Sequence, residues 1–145
     1  MVYLGIDPGI TGGLALIDAK AKVLWALKMP DTNRKKINLL SHALGMPGGL
    51  LAALEFVRSR PGQGAPATFT FGRGYGHLEM LLDAGGVTYL NPTPQTWQKK
   101  LNCRSGGDKR VTLRAARKLF GPDVNHTTAD ALLLAEFARR HSLDL

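Results

Sequence analysis

The sequence predicts a mixed α/β domain built on one five-stranded sheet flanked by helices. Three observations lead there. The first thirty residues carry three short apolar runs divided by Gly-rich or polar turns, the pattern of an antiparallel meander. Later apolar runs alternate with segments of helical spacing, and strands joined through helices pair in parallel. A length of 145 residues holds one core, so residues 1–145 are read as one domain.

Residues 2–7 are an apolar run closing on Asp7, and Pro8, Gly9, Thr11, Gly12 and Gly13 supply the turn that follows. Residues 14–18 and 23–29 complete the meander. Residues 37–44 have helical spacing, and residues 50–57 read as a central strand interrupted by Glu55. Residues 61–76, rich in Gly, Pro, Thr and Phe, are expected to form a long loop. A helix over 77–84 ends at Gly85-Gly86, and a strand over 87–90 ends at Asn91-Pro92. Three more helices are expected, around 95–101, 108–120 and 127–140.

With 44% hydrophobic and 21% charged residues the composition is that of a globular protein, and no apolar run reaches bilayer length, so no membrane partner is expected. One cysteine, Cys103, excludes an internal disulfide and a multi-cysteine metal cluster. No basic region followed by an apolar core opens the chain, so a cytoplasmic protein without a signal peptide is expected.

Nineteen Lys and Arg against eleven Asp and Glu give a net charge of +8. A polyanion, nucleic acid before acidic membrane, is the natural partner of such a surplus. It is concentrated: Lys99, Lys100, Arg104, Lys109, Arg110, Arg114, Arg117 and Lys118 lie between residues 98 and 118, opposed only by Asp108. Arg34, Lys35 and Lys36 form a second cluster, and Arg58, Arg60 and Arg73 flank the expected loop. Lys109 stands at a helix start beside Gly106 and Gly107, where backbone N–H groups and an ammonium can jointly hold an anion. Within the expected loop, Phe69, Phe71 and Tyr75 can stack on bases, plug the sheet edge or meet a second copy.

Three carboxylates stand where a carboxylate is costly. Asp7 closes an apolar strand, Glu55 interrupts another, and Asp130 is flanked by Ala129 and Ala131 before a Leu run. Neighbouring strands and a helix packed across them can bring the three together, and no Lys partner is expected among them. Packed like charges need a hard divalent cation such as Mg²⁺, whereas acids standing apart serve as caps or lone ion pairs. His126 precedes Asp130 by four residues and shares its face if the helix has begun by then, placed to ligate a metal, orient a water or position a phosphate. Outside such a site it is a solvated or capping residue. Gly9, Gly12 and Gly13 permit close backbone approach to a phosphate or another chain.

The stretch Gly5-Ile-Asp7-Pro-Gly9-Ile-Thr11-Gly-Gly-Leu-Ala, the strand bearing Glu55 and the stretch Thr128-Ala-Asp130-Ala-Leu-Leu-Leu-Ala together resemble the RuvC-like Holliday junction resolvases of the RNase H superfamily. The branch containing the plant chloroplast resolvase and phage relatives is suggested by Gly74-Tyr75-Gly76, by Pro92 to Trp97, by Lys109 before a basic helix ending at Leu119-Phe120, and by the His126-x-x-x-acid spacing. The resemblance spans nearly the whole chain.

It implies an RNase H-like fold and a metal-dependent endonuclease that resolves four-way DNA junctions by paired symmetric nicks, acting as a homodimer in a bacterial or phage-infected cytoplasm. Asp7, Glu55 and Asp130 would hold two Mg²⁺ or Mn²⁺ ions, His126 would complete the site, and Lys109 would lie near the cleaved phosphate. Bacterial RuvC has an acid three residues before the last carboxylate, where this chain has Thr127. Residues 76–84 would form a dimer element. Lys99, Lys100, Arg104, Arg110, Arg114, Phe69, Phe71, Arg73 and Tyr75 are the residues expected to meet DNA. Two alternatives remain at this level: another RNase H-like nuclease acting on RNA or an RNA–DNA hybrid, and an inactive nucleic-acid-binding module.

Overall fold

A computed structural model describes residues 1–144. The elements run β1 (Val2–Asp7), β2 (Gly13–Asp18), β3 (Val23–Lys28), α1 (Asn33–Leu44), β4 (Leu50–Leu54), α2 (Ala65–Ala84), β5 (Thr88–Leu90), α3 (Pro94–Lys100), α4 (Lys109–Phe120) and α5 (Ala129–Leu143). The sheet order is β3-β2-β1-β4-β5. The first three strands pair antiparallel, while β1 with β4 and β4 with β5 pair parallel, as expected from their connections. No helix among the described residues is long and apolar enough to cross a membrane.

Strand alternation splits the core in two. Tyr3, Ala15, Ile17 and Ala53 face α5 together with Trp97, Cys103 and Ala116. Val2, Leu4, Ile6, Leu14, Leu16, Ala52 and Leu54 face the other way, toward Leu40 and Ala43 of α1 and Leu78 and Leu82 of α2. Residues 129–138 of α5 are all buried. Such a helix lies across the middle of a sheet, and Gly5 lets it lie close: a Cβ there would fall 1.8 Å from the Ala131 carbonyl oxygen and 2.4 Å from the Ala135 nitrogen.

The one charged side chain on the buried stretch of α5 besides Asp130 is Glu136. Arg139 grips it through two nitrogens at 2.7 and 2.9 Å and Arg140 adds a third contact at 2.7 Å. Burial works against ionisation of this carboxyl, but the two guanidiniums outweigh it and hold Glu136 below the usual range.

The largest departure from expectation is α2. The segment expected as a loop over 61–76 turns helical at residue 65 and runs for twenty residues without a break. Pro66 lies in the first turn, where a missing N–H removes no helical bond. Gly72, Gly74 and Gly76 lower helix propensity, but Phe71 packs over Gly9 and the Tyr75 hydroxyl accepts from Asn91 Nδ2 at 2.9 Å. Tertiary contact therefore overrides composition. The remaining boundaries shift by a few residues. Thus α1 starts at Asn33 because Thr32 caps it, accepting from the Lys35 N–H at 3.3 Å. Likewise β4 ends at Leu54, although the Glu55 N–H still donates to the Ile6 carbonyl at 3.1 Å.

Two glycine substitutions separate these claims in urea unfolding. Gly5→Ala drives a methyl into the α5 backbone and lowers stability by about 3 kcal/mol or more. Gly72→Ala meets nothing within 4 Å and raises stability by about 0.5–1 kcal/mol, an effect a loop at this position would not give.

Candidate active site at the end of the sheet

Asp7 closes β1, and Glu55 directly follows β4, the parallel strand beside it. The register pairs Ile6 with Leu54, so the next residues on each strand, Asp7 and Glu55, stand side by side. Alternation places Asp7 on the face of Tyr3 and Gly5, and Glu55 on the face of Ala53, which is the α5 face. Asp130 lies in the first turn of α5, where the helix N-terminus favours negative charge. Asn125 prepares that turn: its Oδ1 accepts from the N–H of Thr127 at 3.0 Å, from the N–H of Thr128 at 3.1 Å and from the Thr128 hydroxyl at 3.2 Å.

The expectation that the three acids meet without a lysine is corrected. Lys109, at the first position of α4, reaches across to Asp130, with Nζ 2.5 Å from Oδ2. The carboxylate is 8% exposed and the lysine side chain 74%, so a largely exposed lysine caps a buried acid. Asp130 Oδ1 is buried without a partner. Burial works against the ammonium, but Asp130, Asp7 and Glu55 together outweigh it and raise the Lys109 pKa.

Burial, reinforced by Glu55 and then Asp130, pushes the Asp7 carboxyl from 3.8 up to about 7, with Lys109 pulling the other way. Burial raises Glu55 as well. A hydrogen bond from Trp97 Nε1 to its Oε2, 2.6 Å long, opposes that rise. In the sequence Trp97 enters only as the end of the Pro92 to Trp97 stretch of the resemblance, and neither it nor Asn125 is marked as a site residue. A donor buried in a core is invisible until its acceptor is located, and Asn125 reads as one more polar loop residue.

Asp7 and Glu55 open on a cleft of about 1140 Å³. Asp7, Glu55, Lys109 and His126 line it with Thr11, Phe71, Lys28, Lys36, Arg58 and Arg60. His126 is exposed and lies in the turn before α5, not on the helix, so the shared helical face expected with Asp130 is absent. The anion seat expected at the start of α4 is also corrected: the Asp108 carboxylate itself caps that end, accepting from the Arg110 N–H at 3.0 Å and from the Arg110 side chain. Of the expected DNA-facing residues, Phe71 and Lys109 line the cleft, while Phe69 and Arg73 are exposed on α2 rather than on a loop. Lys99, Arg104 and Arg114 are exposed on or beside α3 and α4 without an acidic partner among the described residues, whereas Lys100 pairs with Asp144.

No protein-family model matches the chain, and no curated protein matches it. Solved structures do. RuvC of T. thermophilus in complex with its Holliday junction substrate aligns with a TM-score of 0.70 and 18% identity, covering 99% of this chain and 96% of that one. The fold is RuvC-like. A second structure, Thermus thermophilus RuvC, aligns with a TM-score of 0.62 and 22% identity, covering 98% and 97%. The mixed sheet with its flanking helices is thus the RuvC form of the RNase H-like architecture.

In this RuvC-like frame the donor chemistry fits a hard divalent cation. All three acids offer oxygen, one buried oxygen lacks a partner, and burial, reinforced by repulsion from Glu55 and Asp130, holds Asp7 partly protonated near neutral pH. As the side chains stand, no three His, Cys, Asp or Glu among the described residues form a ready-made metal cluster. Lys109 occupies the position of counter-charge instead.

The Asp7 shift has a definite sign in stability. Its folded value lies above its unfolded one, so the stability it contributes is full below about pH 4 and is lost as pH rises to about 7. Asp7→Asn removes that loss. In chelator, thermal unfolding across pH should show a gain of roughly 3–6 °C at pH 8 and a smaller one at pH 5.

Proposed function

We propose that this chain is a structure-selective, metal-dependent endodeoxyribonuclease that resolves four-way DNA junctions by paired symmetric nicks. The observation that carries this reading is that Asp7 and Glu55 line a cleft at the end of a RuvC-like sheet, with Asp130 near enough to act on the charge of both, among other charged walls that are mostly basic. A pure binding module gains nothing from three acids facing a phosphate.

Asp7, Glu55 and Asp130, with His126 on the cleft wall, would hold two Mg²⁺ or Mn²⁺ ions, which supply a nucleophilic water at neutral pH and charge stabilisation at the scissile phosphate. The chain's own residues do the rest. Lys28, Lys36, Arg58 and Arg60 line the approach and pair with phosphates in register with the acids. Lys109 presents an exposed ammonium at the mouth, already oriented by Asp130, and is placed to meet the phosphate under attack. Lys99, Arg104 and Arg114 extend the cationic surface along α3 and α4 for contacts with the arms of a junction.

One chain of this size carries one such site, and two symmetric cuts need two sites related by a two-fold axis, so the active species is a homodimer. Phe69 and Met80, 71% and 66% exposed, give α2 an outer apolar surface that a second copy can cover.

End-labelled four-way junction, linear duplex and RNA–DNA hybrid, each incubated with the protein and Mg²⁺, decide the matter on denaturing gels. Paired nicks at symmetric positions of the junction are expected, and Asp7→Asn should bind the junction but not nick it. Preferential cutting of hybrid or linear RNA overturns the proposal.

A further inference from the structure

Trp97 lies outside the pattern of acids and yet touches it. Its indole is fully buried in the core beside Ala53 and α5, and its ring N–H donates to Glu55 Oε2 at 2.6 Å. A buried indole N–H requires an acceptor, and Glu55 is the one it has. The position of the ring is set by the fold, not by the acids. Thr93 caps α3, accepting from the Thr96 N–H at 3.3 Å, and the Phe56 N–H donates to the Pro92 carbonyl at 2.8 Å. The segment that leads into α3 is therefore tied to the residue directly after Glu55.

The three acids are restrained in different ways. Asp130 is held by Lys109, a long, exposed side chain that also carries charge. Glu55 has one more rotatable bond than an aspartate, so an unrestrained glutamate loses more side-chain entropy when fixed. The Trp97 donor is neutral and rigid, so it orients the carboxylate without cancelling its charge. Because the indole takes Oε2, Oε1 is left without a hydrogen-bond partner among the described residues.

We propose that Trp97 is a positioning residue, whose indole fixes Glu55 by one oxygen and keeps the other available to a divalent cation. This rests on the reading of Glu55 as a cation ligand. Partners that orient metal ligands from behind contribute about 10- to 100-fold in metal affinity.

Trp97→Phe keeps an aromatic ring in the core and removes only the donor. Mn²⁺ binding by titration calorimetry is expected to weaken about 10-fold or more, and the Mg²⁺ concentration for half-maximal nicking to rise in proportion, while KM for the junction is unchanged. A purely structural role would lower the melting temperature without moving the metal affinity of the folded fraction. If Trp97→Phe does not fold, Trp25→Phe decides, because it leaves Trp97 as the sole tryptophan of two. Mn²⁺ should then quench its emission saturably, and Glu55→Ala added to that background should remove the quenching. Unchanged Mn²⁺ affinity in folded Trp97→Phe, or Trp97 emission indifferent to bound Mn²⁺, overturns this inference alone. Failure of the unaltered chain to bind Mn²⁺ overturns the nuclease reading and this inference with it.

Discussion

The contact between α5 and β1 at Gly5 governs the geometry of the molecule. A helix normally packs on a sheet through a layer of side chains, but here the Ala131 carbonyl and the Ala135 nitrogen sit where a Cβ of residue 5 would be. The small residues Ala131, Ala135 and Ala138 continue the close fit along α5. Asp130 is consequently carried to the end of β1, next to Asp7, and β4 brings Glu55 alongside by register. Had residue 5 carried a side chain, α5 would ride higher and the three acids would not share one end of the sheet.

The same helix shows two ways of burying a carboxylate. Glu136 is neutralised by two arginines within three and four residues of it, a local and saturated arrangement. Asp130 is met by a single lysine from another helix, through one oxygen, with the other left bare. The first has the chemistry of a structural ion pair. The second is electrostatically unfinished, because Asp7 and Glu55 add repulsion that one ammonium does not cancel, and burial keeps Asp7 protonated up to about pH 7. Unfinished charge at the carboxyl ends of parallel strands is where ligands bind in open α/β sheets.

Much of this could be read without coordinates, for a physical reason. A carboxylate inside an apolar run is costly wherever the run is buried, so Asp7, Glu55 and Asp130 mark themselves, and strand alternation puts the first two on one face. The meander and the parallel strands follow from turn chemistry and spacing. Other features depend on distant residues. The Lys109–Asp130 pair joins positions 21 apart within what reads as a uniform basic patch, and Lys28 and Lys36 enter the cleft only because the β3–α1 connection folds against it. The first half of α2 is obscured by a Gly- and Pro-rich composition that reads as loop, whose local preferences yield to the packing of Phe71 on Gly9, and Pro66 sits in the first turn, where a helix tolerates it. His126 lay at an element boundary, the least legible feature of any sequence.

Lys109 also bears on the order of events when the protein is made. In small domains organised by a metal, the ion is part of the folding free energy and the chain stays open without it. Here the chain brings its own provisional cation, tethered at the head of α4 and reachable from solvent. The acids can therefore be enclosed, and α5 seated on β1, before any ion is encountered. On the proposed reading, binding of an ion would exchange one positive charge for another in a framework already closed, with the displaced ammonium remaining within reach of the cleft.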